Sequence, residues 1–421
     1  MPFTAADCQK ARLQFPALAR RQGGLPIAYL DGPAGSQMPA PVIDAISGYH
    51  REANANTHGQ FATSLRSDEM LHAVREKAAC FLGAASWRSI SLGANMTTLT
   101  FALAHAVARA CSPGDEIVIT QLDHEANRGP WLGLIERGLV IREVALLPDG
   151  TLDAGSLAAQ IGPRTRLVAM GLASNALGTV NDVALARELT RAVGAWLLLD
   201  AVHYAPHFAV DVAALDPDFL LCSAYKFYGP HVGVLYCRPG LLDTLETDRL
   251  RTQESSGPCR IETGTLNHAA LVGVGAAIDF LASWGRGDDL RQRLVDAMTG
   301  IGEWEAALAR RYWTAVQAIP GVTVHGPAFG AGGGSGAAGA KHRAPTVSIT
   351  LAGSTAAVVA RRLGERAVQV WDGDFYAVRA VEVLGLAGVG GLLRTGFLLY
   401  NTPEEVDRLL AGLAEIAASP R

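Results

Sequence analysis

WLLLDAVHYAPHFAVDVAALDPDFLLCSAYKFYGPHVGVLY, residues 196–236, decides the fold. Three short apolar runs, 196–200, 217–222 and 232–236, have the length and continuous hydrophobicity of strands buried on both faces. Lys226 falls just after the second run, in a turn that carries Ser, Tyr, Gly and Pro. A lone lysine after a strand is ordinarily a solvated surface group. Held between two apolar strands and aromatic neighbours, this one reads as a partly buried amine. Burial disfavours the ammonium form and lowers its pKa, which suits nucleophilic, Schiff-base chemistry.

Upstream the rhythm of 196–236 repeats. Strands are expected at 27–31, 89–92, 116–120, 140–145 and 166–171, alternating with helices at 97–111, after 127 and at 183–193. A helix from 41 to 50, an irregular loop at 54–67 and a helix at 68–82 with Ser67 as N-cap precede them. Strand–helix alternation of this kind makes an α/β fold with a mostly parallel sheet covered on both faces. Ligands in such sheets sit at the carboxyl ends of the strands. Gly93 and residues 123–127, 174–179, 200–203 and 223–226 all fall at such ends.

Downstream the pattern changes. A helix at 271–284 runs into GRGDD at 285–289, a composition break that marks a domain boundary. A long helix to about 318 joins a smaller α+β region with strands at 322–325, 346–351 and 368–371 and a last helix at 403–418. The Gly- and Ala-rich stretch 327–344 reads as a surface loop. The expected division is an N-terminal segment, 1–28, packed on the small domain; a large domain, 29–286; and a small C-terminal domain, 287–421.

The 421 residues are 49% hydrophobic and 18% charged, with a formal net charge of −4. That composition fits a globular enzyme and argues against a disordered chain or a basic nucleic-acid or membrane-surface binder. No apolar run approaches the length of a membrane span, and the N-terminus lacks a secretory pattern. Six cysteines, Cys8, Cys80, Cys111, Cys222, Cys237 and Cys259, are scattered without metal-ligand spacing. They read as reduced thiols of a cytoplasmic protein that holds no metal.

YLDGPAGSQMP (29–39), LDHEAN (122–127), SNALGTVN (174–181), LLLDAVHYAPH (197–207), SAYKFYGP (223–230), ETGTLN (262–267) and LRTGFLLYNTPEEVDRL (393–409) follow one another in a familiar order. Together they resemble the class V aminotransferases, pyridoxal-phosphate enzymes of fold type I, and within them the cysteine desulfurase and selenocysteine lyase branch. The resemblance covers almost the whole chain and makes 29–286 the cofactor-binding domain. It implies that Lys226 binds the cofactor aldehyde and shuttles a substrate proton, and that Asp200 pairs with the ring nitrogen. His124 would stack on the ring and relay protons, with Asn175 and His203 near the phenolic oxygen. Where the family has a Gln, this chain has His203, a titratable donor.

Ala94 and Asn95 before a helix, with Ser223, Tyr225 and Thr265, would hold the phosphate, since a helix N-terminus favours anions. Thr265 would reach across the interface of a homodimer. Arg394 would grip the α-carboxylate of an amino-acid substrate, because its fork matches a carboxylate. Loop position alone makes Tyr29, His58, Arg66, Asp374 and Arg379 further candidates for contact with substrate.

One motif departs. The branch carries a persulfide-forming Cys in the loop that here reads WDGDFYAVRA (371–380), and the Cys position holds Tyr376. Tyrosine forms no persulfide, and Cys259 is the other thiol on a segment expected near a site. The expected function is therefore a C–S or C–Se lyase related to cysteine desulfurases but lacking the usual loop Cys. Alternatives are an aminotransferase or epimerase on the same fold, or a cofactor-binding scaffold without turnover.

Overall fold

A computed structural model describes residues 2–329 and 343–419, so residues 330–342 of the expected surface loop lie outside the described residues. The large sheet has seven strands: β1 (Ile90–Gly93), β2 (Glu116–Thr120), β3 (Val140–Val144), β4 (Thr165–Gly171), β5 (Trp196–Asp200), β6 (Phe219–Ser223) and β7 (Gly233–Cys237). Their order is β1-β7-β6-β5-β4-β2-β3. Only β7 runs against its neighbours; β2 to β6 pair in parallel. The carboxyl ends of β1 to β6 therefore share one edge, with the amino end of β7 among them.

The alternation of side chains along each strand feeds two cores. Val118, Val168, Leu197, Leu199, Leu220 and Val234 face one side, packed with α3 (Ala62–Leu82) and α6 (His268–Ala282). Ile117, Ile119, Leu167, Leu198, Leu221 and Leu235 face the other, against α4 (Met96–Arg109). Burial of each such side chain contributes roughly 1.5–3 kcal/mol. β2, β6 and β7 are consequently buried end to end, as their continuous apolar runs require.

The small domain is a four-stranded antiparallel sheet, ordered β8 (Val322–His325), β9 (Thr346–Leu351), β11 (Leu392–Gly396), β10 (Trp371–Gly373). The 27-residue helix α7 (Leu290–Val316) ties the two cores together. Its first half buries Leu294, Met298 and Ile301 in the large core; its second half buries Leu308, Tyr312 and Val316 in the small one. α8 (Pro403–Ala418) closes the small domain and starts with a Thr402–Glu405 capping box. Among the described residues no helix is long and apolar enough to cross a membrane.

Three expectations need correction. Helix α3 begins at Ala62, and Ser67 lies buried inside it, its hydroxyl donating to the carbonyls of Ala53 and Ala55 instead of capping the helix. The run ATSLRS contains no breaker, so the helix extends upstream once tertiary packing favours it. The strand expected at 368–371 is two pieces. Val368–Gln369 pairs in parallel with Ala28–Tyr29, while Trp371–Gly373 joins β11. The N-terminal segment straddles the domains instead of packing on the small one. α1 (Ala5–Arg12) and the turn after it bury Cys8, Ala11 and Phe15 in the large core, and Arg12 reaches Glu405 of α8 at 2.7 Å.

Candidate active site

Loops at the carboxyl ends of β1, β2, β4, β5 and β6 surround a cavity lined by Asn95, His124, Asn175, Asp200, His203, Ser223, Tyr225 and Lys226. It continues into an outer cleft that adds Arg394, Phe375, Tyr376 and Trp371 from the small domain.

Lys226 sits in the 3-10 turn after β6 and is almost fully buried. Its Nζ donates to the carbonyls of Pro33 and, at 3.0 Å, Ala34. Burial first, then the Arg394 charge, pushes its pKa down to about 7, against the pull of Asp31 and Asp200. Asp200 ends β5. Its Oδ1 accepts from the Val202 N–H at 2.8 Å, and burial raises its pKa to about 6 despite that bond and Lys226.

Asp123 is buried beside them, its Oδ1 accepting from the Gly171 N–H at 2.7 Å while Oδ2 has no protein partner. Burial and the Asp200 charge raise its pKa to about 7. Gly171 is required here, because a Cβ would lie 2.8 Å from that Oδ1.

Histidine chemistry is fixed by local bonds. His124 Nδ1 accepts from the Ala126 N–H at 2.9 Å, so its proton resides on Nε2. Burial, then Lys226 and Arg394, holds its pKa down near 4. His203 Nε2 lies 2.9 Å from the Thr346 hydroxyl, and Nδ1 has no protein partner. Burial keeps this ring neutral, aided by the neighbouring His207, whose ring stands edge-on at 5.1 Å. His207 in turn bonds the buried Glu305 at 2.7 Å.

At the cavity's inner end the N-terminus of α4 meets β6 and β7. The Met96 N–H donates to the Ser223 hydroxyl at 3.1 Å. Gly233 lets the two approach, for a Cβ there would lie 2.4 Å from the Asn95 carbonyl carbon. Tyr225 stacks on His231 at 4.8 Å, and Lys226 Nζ lies 5.1 Å from the Tyr225 ring.

The small domain forms the outer wall. Arg394 on β11 is buried, with Nη2 donating to Asp31 at 3.1 Å, Nη1 to the Asn175 carbonyl at 3.2 Å, and Nε unpartnered by protein. Its guanidinium lies 4.2 Å from the Phe375 ring centroid and 5.9 Å from that of Trp371. Phe375 and Tyr376 both adopt left-handed backbone, with φ of 57° and 60°. Asn175 Nδ2 donates to the Phe375 carbonyl at 2.8 Å and the Glu125 N–H to the Tyr376 carbonyl at 2.7 Å. Those bonds pin the loop across the domain boundary.

The donor set fits pyridoxal phosphate. A buried amine, a buried carboxylate, a neutral histidine and a helix N-terminus with a hydroxyl line one cavity, matching an aldehyde, a ring nitrogen, a ring face and a phosphate. The unpartnered Asp123 Oδ2, His203 Nδ1 and Arg394 Nε are polar atoms that a bound polar group would satisfy.

Several sequence expectations are displaced. Ala94 is exposed and lines a separate depression on the other side of the α4 N-terminus. Asn95 lines the cavity, but its Oδ1 accepts from the Thr98 N–H as the helix cap, and Met96 and Thr97 line the cavity beside it. His58 is exposed, paired with Asp68 and remote from the cleft lining. Arg66 pairs with Glu52, and Arg379 with Glu143 and Glu382. Asp374 bonds the Tyr376 N–H at 2.8 Å, and the Tyr29 hydroxyl donates to the Gly35 carbonyl. None of these five reaches the cleft, because their loops turn toward their own neighbours. Asp123, Asp31 and Phe375 went unnoticed in the sequence; the acid directly preceding His124 was the one legible signal.

The chain was compared with known proteins. The family model "Aminotransferase class-V" matches residues 28–409. A cysteine desulfurase of Serratia proteamaculans is 34% identical over 97% of this chain and 98% of its own length. The apo cysteine desulfurase of Thermococcus onnurineus superposes with a TM-score of 0.84 at 26% identity, covering 97% of this chain and 98% of that one. A cysteine desulfurase of Escherichia coli, solved in an S-sulfonic acid form, gives 0.82 at 28% identity with the same coverage. Sequence, fold and cleft agree: the chain belongs to the class V aminotransferase family, the pyridoxal-phosphate-dependent enzymes of fold type I.

Proposed function

We propose that the chain cleaves the C–S or C–Se bond of an amino acid with bound pyridoxal phosphate and without a persulfide-forming thiol. The observation that carries this reading is the shared cleft: Lys226, Asp200 and Arg394 meet there, and none of the six cysteines lines it. Burial raises the pKa of every one of those thiols, to about 11 at Cys111 and Cys259 and about 12 at Cys8 and Cys237. A thiol so protonated is a poor nucleophile. Tyr376 stands at the mouth, its ring 5.5 Å from that of His124.

The cofactor supplies an aldehyde for the amino group and an electron-withdrawing ring for the reacting carbon. Lys226 would bind the aldehyde, Asp200 the ring nitrogen, His203 and Asn175 the phenolic oxygen, and Met96, Thr97 and Ser223 the phosphate. The neutral His124 would lie on the ring face. A lysine poised near neutral pH both takes and returns the Cα proton. Arg394 orients the substrate by its carboxylate, and the Tyr376 hydroxyl is available to protonate a departing sulfur. Thr265, exposed and apart from the cleft, would serve the phosphate of a second copy in a homodimer.

The test is product analysis with the holoenzyme on cysteine, selenocysteine, cysteine sulfinate and S-substituted cysteines. Release of sulfide, selenide or thiol with pyruvate and ammonium, or of sulfite with alanine from cysteine sulfinate, supports lyase action. Half-transamination or α-hydrogen exchange without loss of the leaving group would replace it with aminotransferase or epimerase chemistry.

A further inference from the structure

The outer cleft is larger and more apolar than a thiol requires. It runs outward from Lys226 and Arg394 past Phe101, Pro130, Trp371, Phe375 and Tyr376. Phe101 is 46% exposed, Trp371 43% and Tyr376 61%, three large aromatics around one mouth. Aromatic surface gathered in this way marks a binding groove more often than a bare exterior.

The charges of the cleft leave that surface apolar. Lys226 and Arg394 lie at its inner end, and His124 is neutral. Glu125, the remaining ionisable acid of the lining, is turned to Arg128 at 3.3 Å, which Glu143 also holds. Among the described residues of this chain, no other charged side chain lines the outer cleft. The rim loop is held in place, since two consecutive non-glycine residues keep left-handed backbone where Asn175 and Asp374 bond them. A cysteine anchored at Arg394 ends in a single sulfur and would leave the rings wetted. An arene attached to that sulfur would cover them.

Resting on the lyase reading above, we infer that the substrate is a cysteine thioether with a bulky apolar, aromatic S-substituent, not free cysteine. The balanced reaction is elimination and hydrolysis. The Cα proton passes to Lys226, the Cβ–S bond breaks with its electron pair on sulfur, and the sulfur leaves as the thiol after protonation. One water then converts the three-carbon remainder to pyruvate and ammonium, with no oxidant or reductant needed.

The experiment compares S-benzylcysteine, S-methylcysteine and cysteine on the holoenzyme, reading thiol or sulfide and pyruvate. The expected kcat/KM for S-benzylcysteine exceeds each of the others by about tenfold or more, the scale of burying one ring. Phe101→Ala and Trp371→Ala, which remove exposed side chains, should each lower the S-benzyl to S-methyl ratio about threefold or more. A residue with only a structural role would change both substrates alike and leave the ratio unmoved. Turnover of cysteine equal to or above S-benzylcysteine, or a ratio unchanged in both variants, overturns the inference while the lyase reading stands. No product from any of the three overturns the inference, and the lyase reading falls with it only if selenocysteine and cysteine sulfinate also give no product.

Discussion

The two walls of the cleft are made differently. The large-domain wall is a row of strand ends. Asp200, Lys226 and Asp123 lie on or next to β5, β6 and β2, and a sheet buried on both faces fixes their positions. The small-domain wall is one arginine on β11 and a loop in left-handed backbone, held by bonds to Asp31, Asn175 and Glu125 that cross between domains. A rigid scaffold suits groups that must move protons with small tolerance. A wall fastened by a few hydrogen bonds suits recognition, which varies from one substrate to another. The large-domain wall should therefore govern kcat and the small-domain wall KM.

Lys226→Ala tests the first half and carries the largest expected effect. Removing the group that transfers the proton should lower kcat by about 10³-fold or more and abolish the visible absorbance of a lysine-bound aldehyde. Residual turnover within tenfold of the wild type would place the proton transfer elsewhere. Arg394→Lys tests the second half. It keeps the charge beside Asp31 but loses the two-pronged fork, so KM should rise about 10- to 100-fold with a smaller change in kcat. If kcat fell as far as in Lys226→Ala, the division of labour between the walls would be wrong.

The same contrast explains what the sequence disclosed. β2, β5 and β9 begin and end where apolar runs put them, because a strand buried on both faces has to be continuously apolar, and α8 begins at its Thr402 cap. Strand ends then locate Asp200, Lys226, His124 and Asn175 together, since parallel topology brings those ends to one edge. His58 and Arg66 were assigned by loop position and Ala94 by its place before a helix, and loops answer to contacts that no local pattern encodes. Ser67 shows the complementary failure, a good capping residue overruled by the packing of α3. The backbone conformation of Phe375 and Tyr376 was illegible for a stronger reason. Nothing in DFYA marks left-handed backbone; the conformation is imposed by Asn175 and Glu125, far away in the chain.

Asp123 sharpens the account of the inner wall through pH. Burial raises its pKa from 3.8 to about 7, so the folded protein favours the protonated acid. That contribution to stability is complete below about pH 4, declines as pH rises and is lost by about pH 7. Asp123→Asn imitates the protonated acid and keeps an oxygen for the Gly171 N–H. In urea denaturation of the cofactor-free protein its advantage over the wild type should widen between pH 5 and pH 7.5. It should reach about 1–3 kcal/mol, one pKa unit corresponding to about 1.4 kcal/mol. A difference that stayed flat with pH would mean that Asp123 is ionised in the fold, its charge met by a neighbour.

The smallest effect bears most directly on how the outer wall is held. At Tyr376, with φ of 60°, every residue but glycine carries a conformational penalty of about 1 kcal/mol. Its side chain is largely exposed, so truncation removes little packing. Tyr376→Gly should accordingly be more stable than Tyr376→Ala by about 0.5–1 kcal/mol. At Ala224, in the right-handed turn that carries Lys226, glycine should instead cost about 1 kcal/mol, through the added freedom of the unfolded chain and the loss of a Cβ packed on Gly229. Opposite signs at the two positions would show that the outer wall is held against its backbone preference and the inner wall with it. If alanine were the more stable residue at 376 as well, the loop would relax out of the left-handed region. The bonds from Asn175 and Glu125 would then be too weak to hold the rim of the cleft in place.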